Sequence, residues 1–172
     1  CKAHEAKSVT RVKSMLGEEI GIGEALAEAG IERVETDLAE HIIQLAGDPP
    51  SHIVMPAMHK THEEVAELFR ERHREPSESN EVGALVESAR RELRPKYMAA
   101  DIGISGANFI VAETGSVVTV TNEGNAELTT TPPKVHIVNV GIEKLVPTME
   151  HCTVFVRLLA RAALGMEITQ YT

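Results

Sequence analysis

The chain has 172 residues, 42% of them apolar, and a net charge of −9, which is typical of one globular domain with a proper core. Nucleic-acid binding is disfavoured, because phosphate contacts need clustered Lys and Arg and because three Phe, two Tyr and no Trp offer few rings for base stacking. No apolar run approaches the roughly 18 residues that cross a bilayer.

Two cysteines, Cys1 and Cys152, make neither a disulfide framework nor a C-x-x-C metal motif. Unpaired cysteines and the lack of a signal-like segment favour a cytoplasmic protein. Because the chain opens on Cys rather than Met, we expect residues 1–172 to be a single domain from a longer protein.

Apolar periodicity and turn residues predict alternating strands and helices in the first half of the chain. Thr61 and Glu64 form a capping box, Gly30 marks the end of one helix, and Pro56 stops a short buried strand. In chain order the predicted elements are strand 8–12, helix 18–30, strand 31–35, helix 38–45, strand 52–56 and helix 61–72.

The second half continues the alternation, with two strands joined by the turn Glu113-Thr114-Gly115. Pro95 is predicted to interrupt a helix, with one more turn at 97–100. The pattern predicts an α/β fold whose sheet is mixed, because of the strand–turn–strand unit, and is flanked by helices. In chain order the elements are helix 82–94, strand 101–104, strands within 109–121, strand 135–140 and helix 149–163.

Glu113 is the strongest candidate for a catalytic residue. It follows a buried strand, and carboxylates seldom lie beside a core unless they are paired or functional. Such a group could take a proton, attack a carbonyl or orient a substrate. The alternative is a β-hairpin with surface turns, in which backbone N–H groups satisfy the carboxylate.

Several other polar residues lie at predicted strand ends or turns, where α/β sheets open to ligands. We predict one cleft containing Glu113, with Lys13 and His59 at its border. His59 and His62 lack further ligands, so no metal site is predicted. The alternative to a ligand-binding role is that Lys13 is solvated and that the asparagines only stabilise turns. The predicted ligand-binding residues are Lys13, His59, Asn108, Thr114, Asn122, Asn125 and His136.

Ordered motifs along nearly the whole chain carry a family resemblance. They include Lys13-Ser14-Met15, Glu35-Thr36-Asp37-Leu38, Pro50-Ser51-His52-Ile53-Val54, Asp101-Ile102-Gly103-Ile104-Ser105-Gly106-Ala107-Asn108-Phe109, Ala112-Glu113-Thr114-Gly115, Asn122-Glu123-Gly124-Asn125 and Gly141-Ile142-Glu143-Lys144. These motifs resemble the lactate-utilization (LUD) domain family. Within it they are most similar to the iron–sulfur subunits of bacterial NAD-independent complexes that oxidise L-lactate.

The resemblance implies a fold like the NagB/RpiA/CoA-transferase superfamily and a role in oxidising L-lactate to pyruvate. It also implies partner subunits, L-lactate as a small-carboxylate ligand, and [4Fe–4S] clusters in a C-terminal ferredoxin-like segment that, like N-terminal helices, this chain lacks. Four thiolates hold such a cluster, so two cysteines predict no cofactor bound by this chain. Glu113-Thr114-Gly115 resembles the Glu-x-Gly turn that supplies the CoA-transferase glutamate.

The chain departs from the family pattern at two places. Arg11 and Val12 stand where the family usually has Lys and Ser, and Glu127 replaces an arginine. If that arginine held the substrate carboxylate, Glu127 would invert the charge there. Two other functions therefore stay open: a module that binds a small carboxylate or cofactor without catalysis, and a CoA-transferase-like or isomerase-like enzyme that uses Glu113.

Overall fold

Helices surround two small β-sheets in the structure, a computed structural model that describes residues 1–52, 55–121 and 124–167. The α/β class predicted from the sequence is confirmed. The strands are β1 (Ser8–Arg11), β2 (Glu32–Glu35), β3 (Ile102–Gly106), β4 (Phe109–Val111), β5 (Ser116–Val118), β6 (Val135–Asn139) and β7 (Leu145–Val146). The helices are α1 (Met15–Glu19), α2 (Ile22–Glu28), α3 (Leu38–Ala46), α4 (His62–Arg72), α5 (Val82–Ala99), α6 (Asn125–Thr130) and α7 (Met149–Leu164).

The larger sheet is entirely parallel, with the strand order β2-β1-β3-β6. Its central strands carry Val9, Ile102 and Ile104, which pack with Leu26 of α2 and with Ile31 in one buried apolar cluster. The positions that alternate with these apolar residues are also buried and carry Thr10 and Ser105, so both faces of the central strands are covered, as is usual in a parallel sheet.

The smaller sheet contains the mixed pairing, in the order β5-β4-β7. Strands β4 and β5 form the predicted antiparallel hairpin, and β7 lies parallel to β4. We expected the hairpin to join the main sheet, but it forms its own sheet. The reason is a separate core, in which Val111 and Val146 pack against Cys152 of α7.

Helices α3, α4 and α5 pack around a second apolar cluster that includes Ile42, Phe69 and Leu85. The Thr61 capping box is confirmed, because its hydroxyl accepts from Glu64 N and the Glu64 carboxylate accepts from Thr61 N. Helix α5 continues through Pro95 to Ala99, contrary to the predicted interruption. Its last turn is held by Tyr97, which is buried against Val34 and Leu93.

Two further local predictions differ from the structure. The helix predicted over 18–30 is two helices that begin at Met15, since Ser14 caps α1 and Gly21, with a φ of 67°, separates α1 from α2. The strand predicted over 52–56 falls partly on residues 53 and 54, outside the described part, and Pro56 lies in a turn. No helix in the described ranges is long and apolar enough to cross a membrane.

Candidate functional site

A cleft of about 540 Å³ opens at the carboxyl edge of the parallel sheet. The strand order places β2 on one side of β1 and β3 on the other, so the chain reverses its direction of winding between β1 and β3. Ligands of open α/β sheets bind outside the carboxyl ends of the strands at such a switch point. The cleft is lined by residues 12–16, which follow β1, and by residues 106–108, which begin at the last residue of β3.

The wall after β1 is fixed by polar contacts. Lys13 N donates to Asp37 Oδ2 at 2.7 Å, and Lys13 Nζ lies 2.6 Å from Glu40 Oε1. The Ser14 hydroxyl accepts from Gly17 N and caps α1. Gly106 allows the two walls to approach, because a Cβ there would lie 3.2 Å from Ser14 Oγ.

Beneath this wall lies a buried ion pair between the last residues of β1 and β2. Arg11 and Glu35 are each 3% exposed. Arg11 Nε donates to both Glu35 oxygens at 3.0 and 3.1 Å, and Nη2 donates to Oε1 at 2.7 Å. Arg11 Nη2 also contacts Glu18 of α1, so the pair connects two strands and a helix below the cleft.

Burial and the neighbouring charges shift the pKa of both residues of this pair. Burial opposes the charge of Arg11, but the hydrogen bonds and negative charges of Glu35 and Glu18 raise its pKa overall. Burial raises the pKa of the Glu35 carboxyl group, and the hydrogen bonds and charge of Arg11 oppose that shift. In a buried ion pair each charge offsets the cost of burying the other, so removing either side chain leaves a buried charge without that partner.

Three amide side chains and a lysine form the opposite side of the cleft. Asn108 Oδ1 accepts from Val120 N at 2.8 Å, which fixes the base of the hairpin. Asn125 is buried at the start of α6, and its Oδ1 accepts from Ala126 N. Asn139 Nδ2 is buried without an acceptor among the described residues. Lys144 and Glu143 line the same space, so this side offers amide groups together with one positive and one negative charge.

Three of the predicted ligand-binding residues are therefore brought together, namely Lys13, Asn108 and Asn125. Glu113 and Thr114 are elsewhere, in the exposed turn at the far end of β4. Glu113 N donates to Pro147 O, and Thr114 Oγ1 bonds to Ser116. A role for Glu113 in catalysis stays a prediction, but the lining of this cleft does not contain it.

His59 and His136 also lie outside the cleft lining. His59 Nε2 is 3.7 Å from Asp48 Oδ2 on the loop after α3. His136 lies within β6, where its Nε2 is 2.7 Å from Ser105 Oγ and partial burial lowers its pKa. Asn122 falls outside the described residues.

The sequence interpretation missed Lys144, Asn139 and the Arg11–Glu35 pair. Asn139 is the next-to-last residue of the strand predicted over 135–140, and in the structure it ends β6 beside Gly106, its register partner in β3. Its position near the carboxyl edge was a usable signal. Arg11 and Glu35 are the last residues of neighbouring parallel strands. Opposite charges at equivalent strand ends could have indicated the pair. Lys144 ends a short 3-10 helix, Ile142–Lys144, and although it belongs to one of the family motifs, nothing in that motif pointed to a place in the cleft.

Among the described residues, no group of three or more His, Cys, Asp or Glu side chains could hold a metal ion. Cys152 is 2% exposed and packs in the core of the small sheet. The donor set does not fit a [4Fe–4S] cluster, which needs four thiolates, because the chain has two cysteines.

The parallel sheet, with a cleft at its switch point, defines an open α/β domain. A family model described as the LUD domain matches residues 1–172, and the chain belongs to that family. The predicted membership of the LUD family is thereby confirmed.

Curated relatives agree with this assignment. The chain is 48% identical to "Lactate utilization protein B" of Oceanobacillus iheyensis over 170 residues, which cover 99% of this chain and 35% of that protein. Proteins with the same name in Bacillus cytotoxicus and Bacillus thuringiensis are 47% and 45% identical, and the match covers 36% of each. The chain thus spans about a third of these relatives. No solved structure matches it significantly.

Proposed function

We propose that this chain is the LUD domain of an iron–sulfur subunit in a cytoplasmic NAD-independent complex that oxidises L-lactate to pyruvate, and that its switch-point cleft binds the small carboxylate. The observation that carries the proposal is the position of the cleft between the carboxyl ends of β1 and β3. The names of the relatives support a role in lactate utilization, and partner subunits follow from that role.

The donors on the far wall support a carboxylate ligand. Lys13 is matched by Glu40, whereas Lys144 has no carboxylate within 4.0 Å among the described residues. Asn139 Nδ2 is a buried donor without an acceptor there, and such a group costs free energy until it is satisfied. A ligand carboxylate near Lys144 would form an ion pair with its ammonium group and would accept hydrogen bonds from the neighbouring amide side chains.

Binding to the isolated domain should be weak. The cleft volume of about 540 Å³ is within the range that holds drug-sized ligands, so an acid of six heavy atoms leaves much of it unfilled. Glu19, Asp37 and Glu143 also line the cleft and weaken its attraction for anions. We expect dissociation constants of about 1–10 mM for L-lactate.

The chemistry requires an electron acceptor outside this chain. Oxidation of L-lactate to pyruvate removes two electrons and two protons, and the present residues do not fit an iron–sulfur cluster. In the proposed complex the clusters are held elsewhere and receive the electrons. This domain supplies the binding and orientation of the acid.

The test uses the complete protein that carries this domain, assembled with its partner subunits. L-lactate-dependent reduction of an artificial electron acceptor is compared for Lys144→Gln, for Lys134→Gln and for the unchanged protein. Lys134 is an exposed lysine outside the cleft lining and is the matched control. We expect Lys144→Gln to lower kcat/KM for L-lactate by about tenfold or more, which is the loss of roughly 1.4 kcal/mol of binding.

Glu113→Gln separates this proposal from an enzyme that uses the hairpin turn. Full activity in that variant removes Glu113 from the chemistry. Loss of activity in Glu113→Gln, together with normal activity in Lys144→Gln, would contradict the cleft as the lactate site and favour the turn.

A further inference from the structure

The switch-point cleft has apolar space beside the groups that we assign to the carboxylate of L-lactate. Its volume of about 540 Å³ is within the range of sites for drug-sized ligands, whereas L-lactate carries a single methyl group. A longer hydrocarbon chain would remove apolar surface of the cleft from water, which favours binding. The half-buried apolar residues that line the cleft are Val12, Leu16, Ala107, Val120 and Val140.

The charges in the cleft do not favour a second anionic group on the ligand. Among the described residues that line it, three carboxylates outnumber two lysines. Lys13 Nζ lies 2.6 Å from Glu40 Oε1, so Lys144 is the cation that we assign to a ligand carboxylate. The charged lining residues are Lys13, Glu19, Asp37, Glu143 and Lys144.

Negative charge lies on both sides of the cleft. Glu143 is on the same side as Lys144, and its carboxylate lies against the backbone of Gly141, where it takes the space that a Cβ would need. Glu19, the last residue of α1, and Asp37, which precedes α3, are on the opposite side. A ligand with a second carboxylate would therefore face a negative group on either side.

We propose that the cleft selects 2-hydroxy monocarboxylates by charge rather than by size, so that it accepts longer aliphatic acids than L-lactate and rejects dicarboxylates. Lys144 binds the one carboxylate, and the apolar lining contacts the alkyl chain. Glu19, Asp37 and Glu143 repel any further anionic group. This inference rests on the proposed use of the cleft as the carboxylate site and names the class of its ligands.

Two physical effects set the expected magnitudes. Each methylene that is buried should tighten binding about fourfold. Repulsion between like charges near a protein surface should weaken the binding of a second carboxylate by about tenfold. Glu19 and Glu143 are exposed, so salt screens this repulsion and the selectivity should fall as the ionic strength rises.

Titrations of the ¹⁵N-labelled chain with matched acids test the ligand class. L-lactate, (S)-2-hydroxypentanoate, L-malate and the 4-amide of L-malate are compared at equal ionic strength through the amide resonances of Lys13, Gly106 and Lys144. The 4-amide matches L-malate in size but lacks its second charge. We expect (S)-2-hydroxypentanoate to bind about tenfold more tightly than L-lactate, and L-malate to bind about tenfold more weakly than its 4-amide.

Variants assign the selectivity to the carboxylates of the cleft. Glu143→Gln keeps the shape of the side chain and removes its charge, so it should reduce the preference for the 4-amide over L-malate by about threefold or more. Glu150→Gln removes an exposed carboxylate of α7 outside the cleft lining and should leave that preference unchanged. An unchanged preference in Glu143→Gln would overturn the role of this carboxylate.

The same titrations separate this inference from the proposed function. Saturable shifts at the cleft with L-lactate, together with equal binding of L-malate and its 4-amide, would keep the carboxylate site and overturn its selection by charge. Binding of (S)-2-hydroxypentanoate no tighter than that of L-lactate would overturn the longer ligand class. If none of these acids gives saturable shifts at the cleft, the proposed function fails as well.

Discussion

Arg11 and Glu35 are register partners at the carboxyl ends of neighbouring parallel strands, and their side chains form a buried ion pair with three N–H···O contacts of 2.7 to 3.1 Å. Each residue is followed by a segment that reaches the cleft. Thr36 Oγ1 donates to Arg11 O, and Asp37 accepts from Lys13 N. The pair thus fixes the two loops that form one wall of the cleft.

Removing one partner of this pair should destabilise the fold strongly. Arg11→Met leaves the buried Glu35 with the half-buried Arg33, 3.1 Å away, as its remaining ion-pair partner among the described residues, and breaking a buried pair costs about 3–5 kcal/mol. The double change Arg11→Met with Glu35→Leu should cost at least about 1 kcal/mol less than the sum of the single changes. Urea unfolding measures each free energy.

The exposed pair Arg90–Glu87 in α5, at 3.5 Å, is the matched control for this prediction. Arg90→Met should change the free energy of unfolding by less than about 0.5 kcal/mol. Strict additivity of the Arg11 and Glu35 changes would show that the two side chains are not coupled.

A buried histidine pair should make stability depend on pH. His41 Nε2 lies 3.2 Å from His73 Nε2, and His73 Nδ1 lies 2.9 Å from Ser88 Oγ. Burial, with a smaller effect of His73, lowers the pKa of His41 to about 4. Burial also lowers the pKa of His73, although the nearby Glu92 opposes that shift and Lys96 adds to it.

The sign follows from proton binding. Between about pH 6.5 and pH 4 the unfolded chain holds more protons on His41 than the folded chain does, so stability is complete above this window and is lost as the pH falls through it. We expect a loss on the order of 2 kcal/mol from about pH 7 to about pH 5. Urea unfolding at both pH values measures it; His41→Gln should reduce this difference and the exposed His59→Gln should not. An equal difference in all three proteins would refute the assignment.

Gly103 should be intolerant of any side chain. A Cβ at this position would lie 1.8 Å from the backbone oxygen of Thr129 in α6, so α6 and the buried Asn125 at its start would have to move. Gly103→Ala should cost about 2–3 kcal/mol. Gly83→Ala is the control, because nothing lies within 4 Å of its added Cβ in helix α5, and it should stabilise by about 0.5–1 kcal/mol. Thermal and urea unfolding measure both variants, and equal changes in stability for Gly103→Ala and Gly83→Ala would contradict the packing described.

Local patterns predicted most of the elements, because their signals are contained within a few residues. The Thr61 capping box and the strand–turn–strand at Glu113 are examples. The sequence could not show that the hairpin has its own sheet, since that depends on contacts between Val111, Val146 and Cys152. Part of the polar site could be predicted from local signals, because Lys13, Asn108 and Asn125 follow strands or turns. The position of Glu113 depends on the direction of β4, which the local sequence does not give.

The switch-point cleft as the carboxylate site is tested most directly by nuclear magnetic resonance. The ¹⁵N-labelled chain is titrated with L-lactate to about 50 mM, well above the expected dissociation constant, with sodium chloride at equal ionic strength as the control. We predict that L-lactate, but not sodium chloride, shifts the amide resonances of Lys13, Ser14, Gly106 and Lys144, and that these shifts saturate. Saturable shifts confined to the Glu113–Ser116 turn, or no saturable shift at the cleft, would contradict the account.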